Sequence, residues 1–273
     1  MKGDSIVILD VPKFDTVGIF FSEDFQKKFY WDHHQRPRED KRDHLERTLD
    51  YMANKIGFNF ITYMTSSHEN IPLVAKYFPK IALGAGGGNP PALLEELPEF
   101  PGVDAEFYFH IDEPELAPMD MGNLNEHITR WINQGHRPIL NFCGLRRNRN
   151  DIQYAKEYLS RYDLSYTSID LYPSYYDGTD WDFALNYLKE IRPYVKGKFI
   201  AIIQAFGKPG VWRYPTTDEI VRLAWECKNQ GVEWLEFFLW NSCYTGPGGY
   251  DELLTGLDVL PVEYHELIAR MRK

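Results

Sequence analysis

The chain alternates two kinds of segment from about Ile6 onward, and it does so eight times. Short runs rich in β-branched and aromatic residues are typical of buried strands, whereas apolar residues three or four positions apart are typical of helices. A helix that returns the chain to the same edge of a sheet makes successive strands parallel. The sequence therefore predicts an α/β protein built from eight strand and helix units.

The segments follow one another without an evident linker or internal repeat. The first predicted strand contains Asp10 and Pro12, so one strand with an irregular lead-in and two short strands are both compatible with it. The predicted strands are within residues 6–21, then 58–64, 80–83, 105–111, 137–142, 165–171, 198–205 and 232–240. The predicted helices are 42–56, 123–134, 151–162, 181–195, 217–229 and 262–270. Gly135 is placed to end the second of these helices, and Thr217 to cap the fifth.

Eight such units favour one closed (β/α)8 TIM barrel over residues 1–273. An open doubly wound sheet is the alternative, but it needs a phosphate-binding fingerprint after the first strand, and none is present. The glycine-rich run 84–89 has neither GK[ST] nor GxGxxG spacing. In a barrel of this kind the functional residues follow the carboxyl ends of the strands, so candidate catalytic and binding residues are expected at those positions.

The charge balance limits the classes of partner. Thirty basic and forty acidic side chains give a net charge of -10, which disfavours nucleic acid and anionic membranes.

No apolar stretch is long enough to span a bilayer, so membrane insertion is not expected. The start has no signal-peptide pattern, which fits a cytoplasmic or an already mature protein. Cys143, Cys227 and Cys243 have no metal-binding spacing and are expected to be thiols.

The fourth strand ends in the sequence His110-Ile111-Asp112-Glu113-Pro114-Glu115. Two adjacent carboxyl groups at this position suit glycosidic bond cleavage, because an acid must protonate the leaving oxygen while a carboxylate supports the positive transition state. A structural interpretation is also open, in which Asp112 and Glu113 cap a helix or pair with arginine.

Asp112-Glu113-Pro114 resembles the Asn-Glu-Pro motif that closes the fourth strand in the large clan of retaining glycoside hydrolase barrels, with Asp in place of Asn. The resemblance implies that Glu113 is the acid/base. A similar Asp-Glu pair occurs in hexosaminidase-type barrels, where the substrate's acetamido group is the nucleophile and the Asp steers it. Further motifs, over about residues 105–241, resemble glycoside hydrolase-like barrels: Asp170-Leu171-Tyr172-Pro173, Gln204-Ala205-Phe206-Gly207, Trp212-Arg213-Tyr214-Pro215-Thr216 and Trp240.

The sequence departs from the retaining clan at the end of strand seven, where Gln204 stands in place of the nucleophilic Glu. Three possibilities follow: an inverting reaction with Asp170 or another loop carboxylate as base, substrate assistance steered by Asp112, or a barrel that binds sugar without cleaving it. The catalytic candidates are Glu113, Asp112 and Asp170. The expected substrate-binding residues are polar groups and aromatic rings near the strand ends: His110, Asn141, Tyr172, Gln204, Trp212, Arg213, Trp240 and Asn241.

The expected function is hydrolysis of glycosidic bonds in an oligo- or polysaccharide, with no cofactor and no metal. A catalytically inactive carbohydrate-binding or assembly barrel is the first alternative. A metal-dependent hydrolase or deacylase that uses His110 and Asp112 is the second, because both side chains point to the same side of a strand. The adjacent pair His33-His34 could also bind a metal ion, but no carboxylate lies at a fixed spacing from it, so a solvated pair is favoured. Sugar identity, linkage and oligomeric state stay open.

Overall fold

The computed structural model describes residues 10–22, 38–65, 68–84, 104–115, 120–143, 149–175, 178–179, 181–207, 212–238 and 262–272. Several predicted features lie outside these residues. They are the chain before Asp10, the pair His33-His34, most of the glycine-rich run after strand three, Cys243, and the two expected sugar ligands Trp240 and Asn241.

Eight parallel strands form a closed barrel, as predicted. The strands are β1 (Thr16–Ser22), β2 (Phe60–Met64), β3 (Lys80–Gly84), β4 (Glu106–Asp112), β5 (Pro138–Phe142), β6 (Tyr166–Leu171), β7 (Lys198–Gln204) and β8 (Trp234–Phe238). Each pairs with its neighbours in chain order, and the pairing of Thr16 with Trp234 closes β8 onto β1. In the described part of the first predicted strand, residues 10–21, one strand follows the irregular lead-in.

Seven α-helices accompany the strands in the described part of the chain. They are α1 (Arg38–Asp50), α2 (Ile71–Tyr77), α3 (Met121–Asn133), α4 (Arg149–Arg161), α5 (Trp181–Ile191), α6 (Thr217–Asn229) and α7 (Val262–Met271). A π-helical stretch, Tyr51–Ile56, continues α1, and a 3-10 turn, Arg192–Tyr194, continues α5. The sequence did not predict α2, because seven residues are too short for a helical period to stand out.

The helix ends follow local chemistry. Gly135 adopts a left-handed φ of 85° just beyond α3, which confirms it as the helix terminator. The expected cap of α6 was one residue off. Thr216, and not Thr217, accepts a bond from the Glu219 amide, while the Glu219 carboxylate accepts one from the Thr216 amide. This reciprocal pair needs the acidic residue three positions after the cap, and only Thr216 has it.

Side chains alternate along every strand between the helical layer and the barrel interior. The outward faces pack with the helices in a large apolar core. Inside the barrel, the end nearest the strand N-termini is filled by an aromatic plug, whose members are Phe60, Ala82, Tyr108, Ile139, Tyr166, Ile200 and Trp234. The plug closes one end of the barrel and leaves the other for a site.

A short antiparallel hairpin, Ser174–Tyr175 with Gly178–Thr179, follows β6. Tyr175 also bridges to Trp212 in the segment that follows β7. The loops after β6 and β7 are therefore joined by backbone pairing. This arrangement fixes the rim of the barrel near the ends of those two strands.

Candidate active site

Polar side chains occupy the interior of the barrel between the aromatic plug and the carboxyl ends of the strands. They come from strand positions that alternate with apolar, outward-facing ones, so all of them point inward. We call this set the polar layer, and its members are Thr62, His110, Asp112, Asn141, Ser168, Asp170 and Glu236. Six of the seven are buried, and Asp112 is half-buried.

Asn141 is the hub of the polar layer. Its amide nitrogen donates to Asp112 Oδ1 at 2.9 Å and to Asp170 Oδ1 at 3.2 Å. Its amide oxygen accepts a bond from Ser168 Oγ at 2.9 Å. Register alone brings these residues together, because Asp112 pairs with Asn141 and Asn141 with Ser168 on adjacent strands. Asn141 uses both amide hydrogens to orient two carboxyl groups, and its binding of substrate stays a prediction.

Asp170 is a buried carboxyl group whose surroundings favour its protonated form. Burial raises its pKa well above the usual range, and the negative charges of Glu113 and Asp112 raise it further. Hydrogen bonds from Asn141 and Tyr172 oppose the rise but do not cancel it. The cluster is therefore built to keep a proton at a pH where isolated carboxyl groups have lost theirs.

Glu113 lies at the mouth of the barrel, directly after β4. Its φ of 44° is the one positive value found among the described non-glycine residues. Its amide donates to the Asn141 carbonyl at 3.0 Å, and two residues later Glu115 accepts a bond from the Cys143 amide. The end of β4 is thus tied to the end of β5, and this bonding holds a strained conformation at Glu113. Its side chain is half-buried.

Gln204 ends β7 with every polar atom of its side chain engaged. Its oxygen accepts from the Ser174 amide at 2.9 Å, and its nitrogen donates to the carbonyls of Phe206 at 3.0 Å and Arg213 at 2.9 Å. The residue is 1% exposed. In this conformation the side chain of Gln204 joins the loops after β6 and β7.

Arg213 is likewise engaged with the protein. Its guanidinium binds Glu219 through two bonds of 2.8 and 2.6 Å, which hold the loop after β7 on the first turn of α6. The pair is partly exposed, and Glu219 holds the pKa of Arg213 above its ordinary value. Arg213 was expected to bind substrate, and the structure gives it a partner within the protein.

Aromatic rings line one side of the mouth in a continuous set that we call the aromatic wall: Phe20, Phe238, Tyr172, Phe206, Trp212 and Tyr175. Successive rings lie 4.8 to 5.6 Å apart between centroids. Tyr175 and the half-buried Trp212 stand at one end of the wall. At the other end Phe20 meets the imidazole of His110 edge-on at 5.6 Å. The wall therefore runs from the rim to the polar layer.

Glu236 is the acidic residue that the sequence analysis overlooked. It lies inside the barrel on β8 at 1% exposure, and burial raises its pKa to about 8, to which Asp112 also contributes. The signal was present, because Trp234-Leu235-Glu236-Phe237-Phe238 places one acid at an inward position of an apolar strand. His110 is also fully buried, and burial lowers its pKa against the opposing effect of Asp112.

Among the described residues, no group of three or more His, Cys, Asp and Glu side chains could hold a metal ion. His110 and Asp112 do share one side of β4, as expected, but no further ligand joins them there. No helix in the described ranges is both long and apolar enough to cross a bilayer.

Comparison with protein-family models and with curated proteins finds no match. Among solved structures, the catalytic domain of the hyperthermophilic chitinase from Pyrococcus furiosus is similar over 96% of both chains, with 11% identity and a TM-score of 0.55. The PgaB (BpsB) glycoside hydrolase domain from Bordetella bronchiseptica covers 83% of this chain and 94% of its own, at 8% identity and a TM-score of 0.46. D-psicose 3-epimerase from Clostridium cellulolyticum H10 covers 94% and 95%, at 12% identity and 0.45. At such identities the likeness to the chitinase domain shows a common barrel fold and not a common reaction.

Proposed function

We propose that this protein is a glycoside hydrolase, with Glu113 as the general acid and Asp112 as the carboxylate that supports the transition state. The observation that carries the proposal is the cluster of Asp112, Glu113 and Asp170 at the open end of the barrel. Asn141 binds two of these three groups with one amide. Carboxyl groups in this number and position are what glycosidic bond cleavage requires.

Glu113 donates its proton to the glycosidic oxygen as the bond to the sugar carbon breaks. The residue suits this role because it lies at the rim, within reach of a ligand, and its backbone is held by the bond to Asn141. Fixed placement matters, because proton transfer needs heavy atoms within about 3 Å of each other. Water then attacks the sugar carbon, and Glu113 takes the proton from that water.

Asp112 faces the positive charge that develops on the sugar. An inverting reaction with Glu113 as the acid needs an ionised carboxylate as the base. Burial and the neighbouring negative charges favour the protonated form of Asp170, which argues against Asp170 in that role. With Gln204 engaged by backbone, Asp112 acts either directly or by steering a substrate acetamido group. Asp170, which retains its proton, keeps the local negative charge from accumulating.

The aromatic wall supplies the surface on which a sugar ring stacks. Sugar rings have apolar C-H faces, and rings of Trp and Tyr present flat apolar area of matching size. Tyr172 is the member of the wall that hydrogen-bonds Asp170, and Trp212 lies beyond Phe206 from it. The proposal therefore places a ring of the substrate against the wall, with its scissile bond toward Glu113.

The test is to incubate wild type and Glu113→Gln with a broad panel of glycans and glycosides, and to score both released sugar ends and ligand-induced thermal stabilisation. We expect Glu113→Gln to lose about 10²- to 10⁴-fold in turnover, the usual contribution of a general acid. Glu233→Gln, a change on the exposed surface at the other end of the barrel, is the matched control and should keep full activity.

Undiminished release by a folded Glu113→Gln would overturn the assignment of the acid. Stabilisation of both proteins by the same glycan without any release would favour the alternative of a carbohydrate-binding barrel. In that case the aromatic wall would keep its proposed role in sugar binding, and the carboxyl cluster would have no catalytic role.

A further inference from the structure

Three side chains of the polar layer contain buried polar atoms that bond to nothing among the described residues. They are Thr62 Oγ1, both ring nitrogens of His110, and Glu236 Oε1. Thr62 lies close enough to Glu236 to oppose part of the rise in the pKa of Glu236. Neither Thr62 Oγ1 nor Glu236 Oε1 completes a hydrogen bond, however. A buried polar atom without a partner costs about 1 to 3 kcal/mol, so three residues of this kind together need an explanation.

These atoms are separated from the mouth by an apolar cover. Phe20, Met64 and Phe238 form a small cluster, and the rings of Phe20 and Phe238 lie 4.8 Å apart. Met64 and Phe238 stand two residues beyond Thr62 and Glu236 on the same strands, on the side of the mouth. A substrate at the mouth therefore cannot reach Glu236, which has 1% exposure. Whatever satisfies these atoms must be small and must lie inside the barrel.

Asp112 links this enclosed group to the candidate site. Its negative charge favours a higher pKa at both His110 and Glu236, although burial lowers the pKa of His110 overall. The other titratable groups of the polar layer are Asp112 and His110 on β4 and Asp170 on β6, and of these Asp112 raises the pKa of Glu236. On the flanking strands β1 and β7, its register partners Gly18 and Ile202 carry no charge.

We propose that Thr62, His110 and Glu236 enclose an internal hydration site beneath Asp112, and that water held there connects the Glu236 carboxyl to the Asp112 carboxylate by hydrogen bonds. Water is the chemical class that fits, because a buried water makes about three bonds to groups that otherwise have none. The protonated Glu236 donates into this connection, a neutral His110 offers one donor and one acceptor, and Asp112 accepts at the end. Glu236 is thus a positioning residue for Asp112. The role in catalysis rests on the proposed function, whereas the hydration site does not.

The test follows the carboxyl carbons of Asp112 and Glu236 by NMR in protein labelled with 13C at aspartate and glutamate, titrated from acid to alkaline pH. Asp112→Asn and Glu236→Gln assign the two signals. We expect the Asp112 signal to show a second step at the midpoint of Glu236, near the pKa of about 8. Glu236→Gln should abolish that step.

Thr62→Val separates a water-mediated connection from direct repulsion between the charges. It removes one hydroxyl that holds the water and leaves both carboxyl groups, so the second step at Asp112 should shrink at least twofold. Thr167→Val is the matched control, since Thr167 is equally buried with an unbonded hydroxyl but points outward on β6. It should leave the step unchanged. Thr62→Val also serves if Glu236→Gln does not fold.

A high-resolution crystal structure of wild type should contain water within hydrogen-bond distance of Thr62 Oγ1, Glu236 Oε1 and one ring nitrogen of His110. A dry interior, or a step at Asp112 that Thr62→Val leaves at full size, would overturn the proposal. Lack of any glycosidase activity in wild type would overturn the proposed function alone, because neither the NMR step nor the water depends on turnover.

Discussion

The two ends of the barrel interior differ in their side chains: one end is packed with apolar rings and the other carries carboxyl groups. At the strand N-termini the aromatic plug packs Tyr108, Tyr166 and Trp234 against one another with ring centroids 5.1 to 5.6 Å apart. The polar groups at this end are paired, as in the bond of Tyr108 to Glu106 and of Lys80 to Thr16. At the other end lie carboxyl groups that repel one another.

The difference indicates that one end of the barrel supplies stability and the other holds the candidate site. Packing stabilises the folded state wherever apolar rings interlock, whereas buried carboxyl groups cost free energy unless they are protonated or paired. In barrels of this architecture the site lies at the carboxyl ends of the strands, and the opposite end carries stability. The plug thus offsets the cost of the acidic cluster, and each end can be perturbed separately.

The largest expected effect on stability comes from the plug. Trp234→Ala removes a large buried ring that contacts Phe60, Tyr108 and Tyr166, and should lower the free energy of unfolding by about 3 to 5 kcal/mol. Denaturant unfolding measures the change. Trp225→Ala, on the half-exposed face of α6, is the control and should cost less. Equal losses for the two variants would contradict a special role for the plug.

The next effect is a pH dependence that originates at the polar layer. Burial raises the pKa of Glu236 to about 8, so the folded protein binds a proton there that the unfolded chain has released. The stabilisation from this proton is complete below the unfolded pKa and is lost as pH rises through the folded pKa. Wild type should therefore lose on the order of 3 kcal/mol relative to Glu236→Gln between pH 5 and 8. Parallel stability curves for the two proteins would show that Glu236 is not protonated in the fold.

A pair of glycines tests whether the plug is more rigid than the mouth. A Cβ at Gly18 would meet Phe60 Cδ1 at 2.4 Å, and one at Gly84 would meet Met64 Sδ, also at 2.4 Å. Gly18→Ala should cost about 1 to 3 kcal/mol because the ring is held in the plug. Gly84→Ala should cost less, since a methionine side chain can turn aside. Thermal unfolding compares the two, and the reverse order would place the rigid end at the mouth.

The smallest effect concerns ligand contact at the mouth. Trp212→Ala should weaken binding of a glycan ligand by about 0.5 to 1.5 kcal/mol, the usual value of an aromatic contact beyond its buried area. Stability should change little, because the ring is half-buried. Calorimetric titration measures the affinity, and Trp225→Ala again is the control. Unchanged affinity would show that Trp212 does not contribute to the surface on which the sugar ring is proposed to stack.

Much of the fold could be predicted from the sequence. All eight strands correspond to predicted ones. A strand of a parallel barrel is buried on both faces, so its sequence is a nearly continuous run of β-branched and aromatic residues that is easily recognised. The motif at the end of β4 correctly pointed to the mouth. Asn141 and Gln204 stay predicted substrate ligands, and the structure adds that their side chains are bonded within the protein. Residue type indicates the ability to hydrogen-bond and cannot say with which partner.

The sequence by itself determined the order of the elements and the acidic end of β4, since both depend on residues that are near one another in the chain. Only the tertiary structure decided that Asp112 and Asp170, on separate strands, share one amide of Asn141. It also decided that Glu236 joins them from the far end of the chain. The physical reason is that barrel closure and strand register set which inward side chains meet, and a pKa depends on burial and neighbouring charge rather than on the residue's place in the sequence.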